Sequence, residues 1–221
     1  MRPRGSESSL SAALRPDNLR SAALTMGGLA GVMVILQILN AVTGYALNAN
    51  VGLVSRRVAG LDGILFAPLL HGGWPHLAGN LAMLLLLGAL LFVGGVREFV
   101  IATACVWLLG GLGLWLLGPS NTVTIGSSSL VYGWLAYLIA RGIFTRSIWQ
   151  LLIGAVLAVL YWGVLWSGIV QTAWIDLIAD TNVSWQGHLF GAVGGVVAAV
   201  LLGRRVRGRV VSRERRTGPV I

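Results

Sequence analysis

Stretches of about 20 apolar residues recur along the chain, separated by short segments that are polar or contain arginine. Six stretches can be marked, with predicted bounds of 22–47, 74–94, 98–118, 127–143, 147–168 and 185–204. A helix of about 20 apolar residues crosses the roughly 30 Å of hydrocarbon in a bilayer. The pattern predicts an all-α membrane protein: a six-helix bundle over 22–204, a basic N-terminal tail at 1–21 and an arginine-rich C-terminal tail at 205–221.

The composition agrees with burial in lipid. Hydrophobic residues make up 56% of the 221 residues and charged residues only 10%, whereas soluble domains carry about 25% charged residues.

The polar N-terminus leads into an apolar run without a small-residue cleavage site, which predicts an anchoring helix and no removable signal peptide. The single cysteine, Cys105, lies inside an apolar run, so a disulfide framework is excluded.

The distribution of arginine predicts the orientation. All 16 basic residues are arginines, and 14 of them fall in the two tails, the turn between spans two and three, and the turn between spans four and five; Arg56 and Arg57 are the other two. The positive-inside rule therefore predicts a multi-pass protein of the plasma membrane with both termini cytoplasmic. Nucleic-acid binding, the competing interpretation of a pI near 11.4, is not favoured because no basic patch is interleaved with aromatic residues.

The fourth span is predicted to be short and recessed. Ser127 to Ala140 is 14 residues, or about 21 Å of helix, so its first turn should begin below the outer surface. The preceding loop, residues 118–126, would then be irregular backbone at membrane depth, which survives only when protein or a water-filled cavity surrounds it.

The three histidines of the chain fall at the outer ends of predicted spans. His71 and His76 flank the start of span two, His188 begins span six, and Ser127-Ser128-Ser129 opens span four. An intramembrane histidine can be structural and a serine run can be an N-cap, but their convergence at one depth favours a functional site that opens to the exterior.

Two spacings refine this site. His76 and Asn80 are four residues apart and share a helix face, which suits paired donors to an oxyanion or, alternatively, an interhelical hydrogen bond. Neighbouring serines are rotated by about 100° around a helix, so only one of the three can face His188. Ser128 lies four residues before Tyr132, which places the aromatic ring below it on the same face.

Three motifs resemble the rhomboid family of intramembrane serine proteases, on the family's second, fourth and sixth helices. They are His71-x4-His76-x3-Asn80; Gly126-x-Ser128 with Tyr132 and Gly133; and Gly187-His188-x2-Gly191-x3-Gly195. The resemblance covers roughly residues 25 to 204. Independently of it, Gly126 gives the backbone freedom as it enters the helix, and Gly133 removes a side chain where another helix can approach.

The resemblance implies a catalytic dyad without a third carboxylate. Ser128 would be the nucleophile, His188 the general base, and Tyr132 would stack under the imidazole. By the same resemblance, the oxyanion would be bound by His76, Asn80 and the Ser128 N–H. His71 would support the loop and helix two. Gly191 and Gly195 would let helix six pack tightly on helix four. No cofactor, metal or obligatory protein partner is expected.

The implied activity is cleavage of single-span membrane proteins near the outer face of the bilayer through an acyl-enzyme. Substrates would enter between helices two and five, where Trp149, Trp162 and Trp166 are either part of a gate or interface anchors. The chain departs from the family at Ser129, where glycine is usual, and it lacks the tryptophan-arginine pair that some bacterial members carry in the first outer loop.

Three other classes of membrane protein are alternatives to the protease. An inactive or weak rhomboid-like protein that binds membrane clients would keep the fold without the chemistry. A small transporter could use Gln37 and Asn40, but these are isolated and no inverted repeat is evident. Aspartyl or zinc intramembrane proteases are excluded because Asp176 and Asp180 lie in a polar loop and no H-E-x-x-H motif occurs.

Overall fold

The computed structural model describes residues 15–179 and 183–216, with side chains through residue 204. Most of the predicted N-terminal tail, including Arg2 and Arg4, lies outside the described residues, as do Asp180 and the end of the C-terminal tail. The arginine side chains from Arg205 onward also lie outside them.

The described residues are mostly helical. The helices are α1 Pro16–Val42, α2 Ala46–Val51, α3 Gly63–Phe66, α4 Trp74–Phe92, α5 Val96–Leu117, α6 Ser128–Thr145, α7 Ile148–Leu160, α8 Trp162–Ile175 and α9 Trp185–Arg216. Two 3₁₀ turns, Val58–Gly60 and Ala67–Leu69, and two short strands, β1 Leu53–Val54 and β2 Val123–Thr124, lie in the loops. Prolines occupy the first turns of α1 and α4, where a missing N–H costs no helical hydrogen bond.

Four of the described helices are long and apolar enough to cross a membrane: α1, α4, α5 and the part of α9 from Trp185 to Arg204. A fifth crossing is formed if α7 and α8, which meet at a bend of 64°, are taken as one span. The multi-helix membrane fold is thus confirmed, and the broken fifth span replaces the continuous helix predicted at 147–168. A π-helical turn at Trp166–Gln171 lies just beyond the bend, and such turns commonly accompany sharp changes of helix direction.

Helix α6 is the centre of the bundle. Its buried side chains include Trp134 and Tyr137, which are among the largest fully buried side chains of the described residues. The helix has 18 residues, about 27 Å, and is longer than the 14 residues predicted from the sequence. The predicted span, 127–143, reaches past Arg141, but its apolar length was counted only to Ala140 because Arg141 was assigned to a cytoplasmic turn; this arginine lies within the helix.

An ion pair buried between α5 and α6 explains why α6 continues past Arg141. The Arg141 guanidinium lies 2.7 Å from Glu98 Oε1, and the Tyr137 hydroxyl donates to the same oxygen at 2.6 Å. The side chains of Arg141 and Glu98 are only 11% and 18% exposed. Because the carboxylate offsets the guanidinium charge, the helix accommodates arginine among apolar neighbours.

The segment between α1 and α4 is hydrogen-bonded to the loop that leads into α6. Strand β1 pairs antiparallel with β2, and the Gly126 N–H donates to the Ala67 carbonyl at 2.9 Å. The Arg56 side chain donates to the Gly118 carbonyl at 2.9 Å, and Arg57 Nε donates to Asn121 Oδ1 at 2.6 Å. The irregular backbone before α6 is therefore held by hydrogen bonds to other parts of the chain, while residues 119–123 are exposed.

Removing one partner of the α5–α6 ion pair should destabilise the protein. Replacing Arg141 by methionine leaves the Glu98 carboxylate buried without its counter-ion, so the free energy of unfolding should fall by about 3–5 kcal/mol. Denaturant unfolding of the purified protein measures this. Arg146→Met is the matched control, because Arg146 is exposed at the end of the same helix. The double variant Arg141→Met/Glu98→Gln should recover part of the loss; no recovery would contradict the ion-pair account.

Candidate active site

The start of α6 and the first turn of α9 bring Ser128 and His188 into contact. Ser128 is the first residue of α6 and His188 the fourth of α9. Ser128 Oγ and His188 Nε2 are 2.9 Å apart, which is hydrogen-bond distance. His188 is buried and Ser128 is half-buried, so the hydroxyl lies between the interior of the bundle and its surface.

The imidazole of His188 is fixed on its other sides. The Tyr132 ring stacks on it with centroids 4.0 Å apart and an interplanar angle of 6°. The Tyr132 hydroxyl donates to the Val164 carbonyl at 2.7 Å, and His188 Nδ1 lies 2.8 Å from the Gly168 carbonyl oxygen. Helices α6 and α8 therefore both restrict the orientation of the ring.

Glycines allow α6 and α9 to approach closely enough for this contact. A Cβ on Gly191 would collide with the Ser129 carbonyl and lie 3.1 Å from Ser129 Cα. A Cβ on Gly195 would collide with the Gly133 backbone, and one on Gly133 would lie 2.7 Å from the Gly191 carbonyl oxygen. The helices thus meet backbone to backbone at these positions, a spacing that only glycine permits.

His76 and Asn80 face the backbone that leads into Ser128. A Cβ placed on Gly126 would lie 2.8 Å from His76 Nε2 and 3.6 Å from Asn80 Nδ2, and the φ of Gly126 is +110°, a region that favours glycine. His76 Nδ1 accepts the Gly72 N–H at 3.4 Å, so the proton of the neutral ring is on Nε2, which points toward Gly126. Asn80 Nδ2 is buried and makes no hydrogen bond to any described residue. Two N–H donors therefore lie close to Gly126, two residues before Ser128.

His71 links the start of α6 to α1. Its Nε2 lies 3.4 Å from Ser127 Oγ, and its carbonyl accepts hydrogen bonds from the side chains of Asn40 and Asn48 at 3.4 and 3.2 Å. Ser127 makes no side-chain cap bond to α6, so the capping role that a serine run often has is not used here. Asn40, which a transporter would need in a pore, is instead buried in this network.

Ser129, the departure from the family pattern, is accommodated on the side facing α5. It lines a small pocket together with Gly126 and Gly110, and a Cβ on Gly110 would lie at an ordinary 3.6 Å from Ser129 Cβ. The additional side chain thus occupies existing space between α5 and α6.

The described residues thus form a bundle of apolar helices in which a serine and a histidine are in contact at the starts of two helices. Residues 58–205 match the Rhomboid domain family, and the chain belongs to this family. It is 43% identical over 176 residues to an uncharacterized protein of Mycobacterium tuberculosis, covering 77% of this chain and 71% of that one. It is 26% identical over 166 residues to the Bacillus subtilis protein named "Putative rhomboid protease YdcA", covering 72% and 73% of the two chains.

The structure brings together all the side chains that the motifs singled out, although their chemical roles stay predictions. Four hydrogen bonds of the site were not predicted from the sequence: the Gly168 carbonyl to His188, Ser127 to His71, and Asn40 and Asn48 each to the His71 carbonyl. Of these, only the polar side chain of Asn40 within an apolar run stood out in the sequence.

Acidification should weaken the fold through His71. Burial, followed by the neighbouring His76, lowers the pKa of His71 from 6.5 to about 4. Between these values the unfolded chain binds a proton that the folded protein does not, so the free energy of unfolding should fall as the pH drops below 6.5 and level off near pH 4. Thermal unfolding midpoints across this range measure the effect. His71→Gln should show a smaller pH dependence, and an unchanged dependence would contradict the assignment.

Proposed function

We propose that the protein is an intramembrane serine endopeptidase that cleaves transmembrane helices through a Ser128–His188 dyad. The observation that carries the proposal is the 2.9 Å contact between Ser128 Oγ and His188 Nε2, with the imidazole stacked on Tyr132. A serine becomes an effective nucleophile only when a positioned base removes its proton. Membership of the rhomboid family supports the same reaction.

The geometry supports an acyl-enzyme route. Ser128 Oγ attacks the substrate carbonyl carbon while its proton passes to His188 Nε2, and a tetrahedral oxyanion forms. The C–N bond then breaks, and the same proton moves from Nε2 to the leaving amine. A water molecule, deprotonated by Nε2, hydrolyses the acyl-Ser128 ester and restores the hydroxyl.

His76 and Asn80 are suited to hold the oxyanion together with the backbone N–H of Ser128. In the free protein Asn80 Nδ2 has no partner among the described residues, so it makes no bond that must be broken when the oxyanion appears. Preset donors of this kind each contribute about 3–4 kcal/mol to the transition state.

We further propose that α6 is a sixth crossing, recessed at its Ser128 end, in a plasma-membrane protein with cytoplasmic termini and a site open to the exterior. The distribution of the 16 arginines supports this orientation. The other helices surround α6, which explains how a helix carrying Arg141 can lie within the membrane. A site near the outer surface would receive water without passage across the bilayer.

The proposed substrates are single-span membrane proteins with a locally weak helix near the outer face. Peptide bonds in a regular helix are protected by hydrogen bonding, so attack by Ser128 requires an unwound stretch. Trp149, Trp162 and Trp166 are 74%, 62% and 50% exposed, which suits either contact with lipid or a path for a substrate helix.

A fluorophosphonate probe tests the dyad. It should label the purified wild-type protein, and Ser128→Ala should abolish the label because the acceptor hydroxyl is gone. His188→Asn should reduce peptide turnover on the order of 10⁶-fold. Ser129→Ala is the matched control, since it removes an adjacent hydroxyl outside the dyad, and should label normally. If the wild type shows no labelling above Ser128→Ala, the protease proposal fails and a client-binding role is favoured.

A methyl group between α6 and α9 should disrupt catalysis. Gly191→Ala places a Cβ against the Ser129 backbone and forces the helices apart, so peptide turnover should fall about 10²-fold or more for a shift of roughly 1 Å. Gly187→Ala is the control on the same helix, because its nearest contacts would be at 3.6 Å. Equal turnover of the two variants would contradict the role given to the close contact.

A further inference from the structure

The hydrogen bonds of the His188 ring define which nitrogen carries its proton. Nδ1 lies 2.8 Å from the Gly168 carbonyl oxygen, and a carbonyl oxygen only accepts hydrogen bonds. The proton of the neutral ring is therefore on Nδ1. Nε2 is left with its lone pair toward Ser128 Oγ, as a base for this hydroxyl requires.

A local departure from α-helical geometry presents this carbonyl to the ring. Gly168 lies in the π-helical turn of α8. In an α-helix the Thr172 N–H would donate to Gly168, four residues earlier, but here its acceptors are the carbonyls of Ile169, three residues earlier, and Ser167, five residues earlier. The Thr172 hydroxyl also donates to the Ser167 carbonyl, at 2.7 Å. The shifted bonding leaves the Gly168 carbonyl available to His188.

Gly168 also has to be glycine for the ring to approach. A Cβ at this position would collide with the Tyr132 hydroxyl and lie 3.1 Å from His188 Nδ1. The Tyr132 hydroxyl itself donates to Val164, in the same helix as Gly168. One turn of α8 is therefore attached both to the imidazole and to the aromatic ring stacked on it.

We infer that the Gly168 carbonyl is a positioning group for the dyad, in the place that a carboxylate occupies in serine proteases with three catalytic residues. This inference rests on the proposed function. The carbonyl fixes the tautomer and the ring plane, as a carboxylate would, without adding an unpaired charge to a buried site. The proton on Nδ1 stays in place through both steps of the reaction, and only Nε2 exchanges a proton with Ser128, the leaving amine and water.

Alanine variants at two glycines of α8 test the inference in the full-length protein. Gly168→Ala should displace the carbonyl and lower kcat about 10²-fold with little change in KM, because Gly168 is buried against Nδ1 of the imidazole and Ser128 faces Nε2. Gly163→Ala is the matched control, since a Cβ there would have no neighbour within 4 Å, and should retain wild-type kcat. Thr172→Val, which keeps the side-chain shape but loses the hydroxyl bond to Ser167, should lower kcat about fivefold.

The tautomer of His188 provides a readout that does not depend on activity. The chain has three histidines, so NMR of protein containing nitrogen-labelled histidine gives few ring signals, and those lost in His188→Asn identify His188. Wild type and Gly163→Ala should show the proton on Nδ1. Gly168→Ala should show a mixture with the Nε2-protonated form.

The outcomes separate the inference from the proposed function. A proton on Nε2 of His188 in the wild type, or an unchanged tautomer and kcat in Gly168→Ala, overturns the inference even when Ser128 is labelled. The wild type could instead fail to react with the probe and still show a proton on Nδ1 that Gly168→Ala partly loses. This result would overturn the proposed protease function but would support the positioning contact between Gly168 and His188.

Discussion

The backbone contact between α6 and α9 is the constraint on which the site depends. Ser128 and His188 belong to helices far apart in sequence, and their 2.9 Å contact exists because Gly133, Gly191 and Gly195 leave no side chain between the helix axes. Lipid provides no hydrophobic drive for helices to associate, so close backbone approach supplies van der Waals contact instead. The same glycines therefore stabilise the bundle and set the geometry of the Ser128–His188 contact.

Features with a regular spacing could be predicted from the sequence. The four-residue interval between His76 and Asn80 and the glycines of α9 imply shared helix faces. The family, predicted from the three motifs, and the multi-helix membrane fold, predicted from the apolar stretches, are confirmed. The hydrogen bond between the Gly168 carbonyl and His188 could not be predicted from the sequence. Every residue carries a carbonyl, and only the π-helical turn makes this one available to the imidazole.

Predictions from charge alone were less accurate. Arg141 was expected in a turn because an unpaired arginine is costly in hydrocarbon, yet it lies within α6 and pairs with Glu98, 43 positions earlier. Sequence hydropathy cannot reveal such a pairing, since the two charges fall on different helices. The continuous fifth span predicted at 147–168 was also wrong, because hydropathy does not reveal the 64° bend between α7 and α8.

The segment that orients the imidazole also carries side chains directed away from the bundle. Trp162 and Trp166 lie in α8 with stacked rings 6.0 Å apart and are largely exposed, while Gly168 of the same helix is buried against His188. Indole rings prefer the boundary between hydrocarbon and headgroups. A bilayer of different thickness would draw these rings to a new depth, and the carbonyl would move with them. In the proposed protease, the alignment of Ser128 and His188 would therefore be coupled to the dimensions of the surrounding membrane.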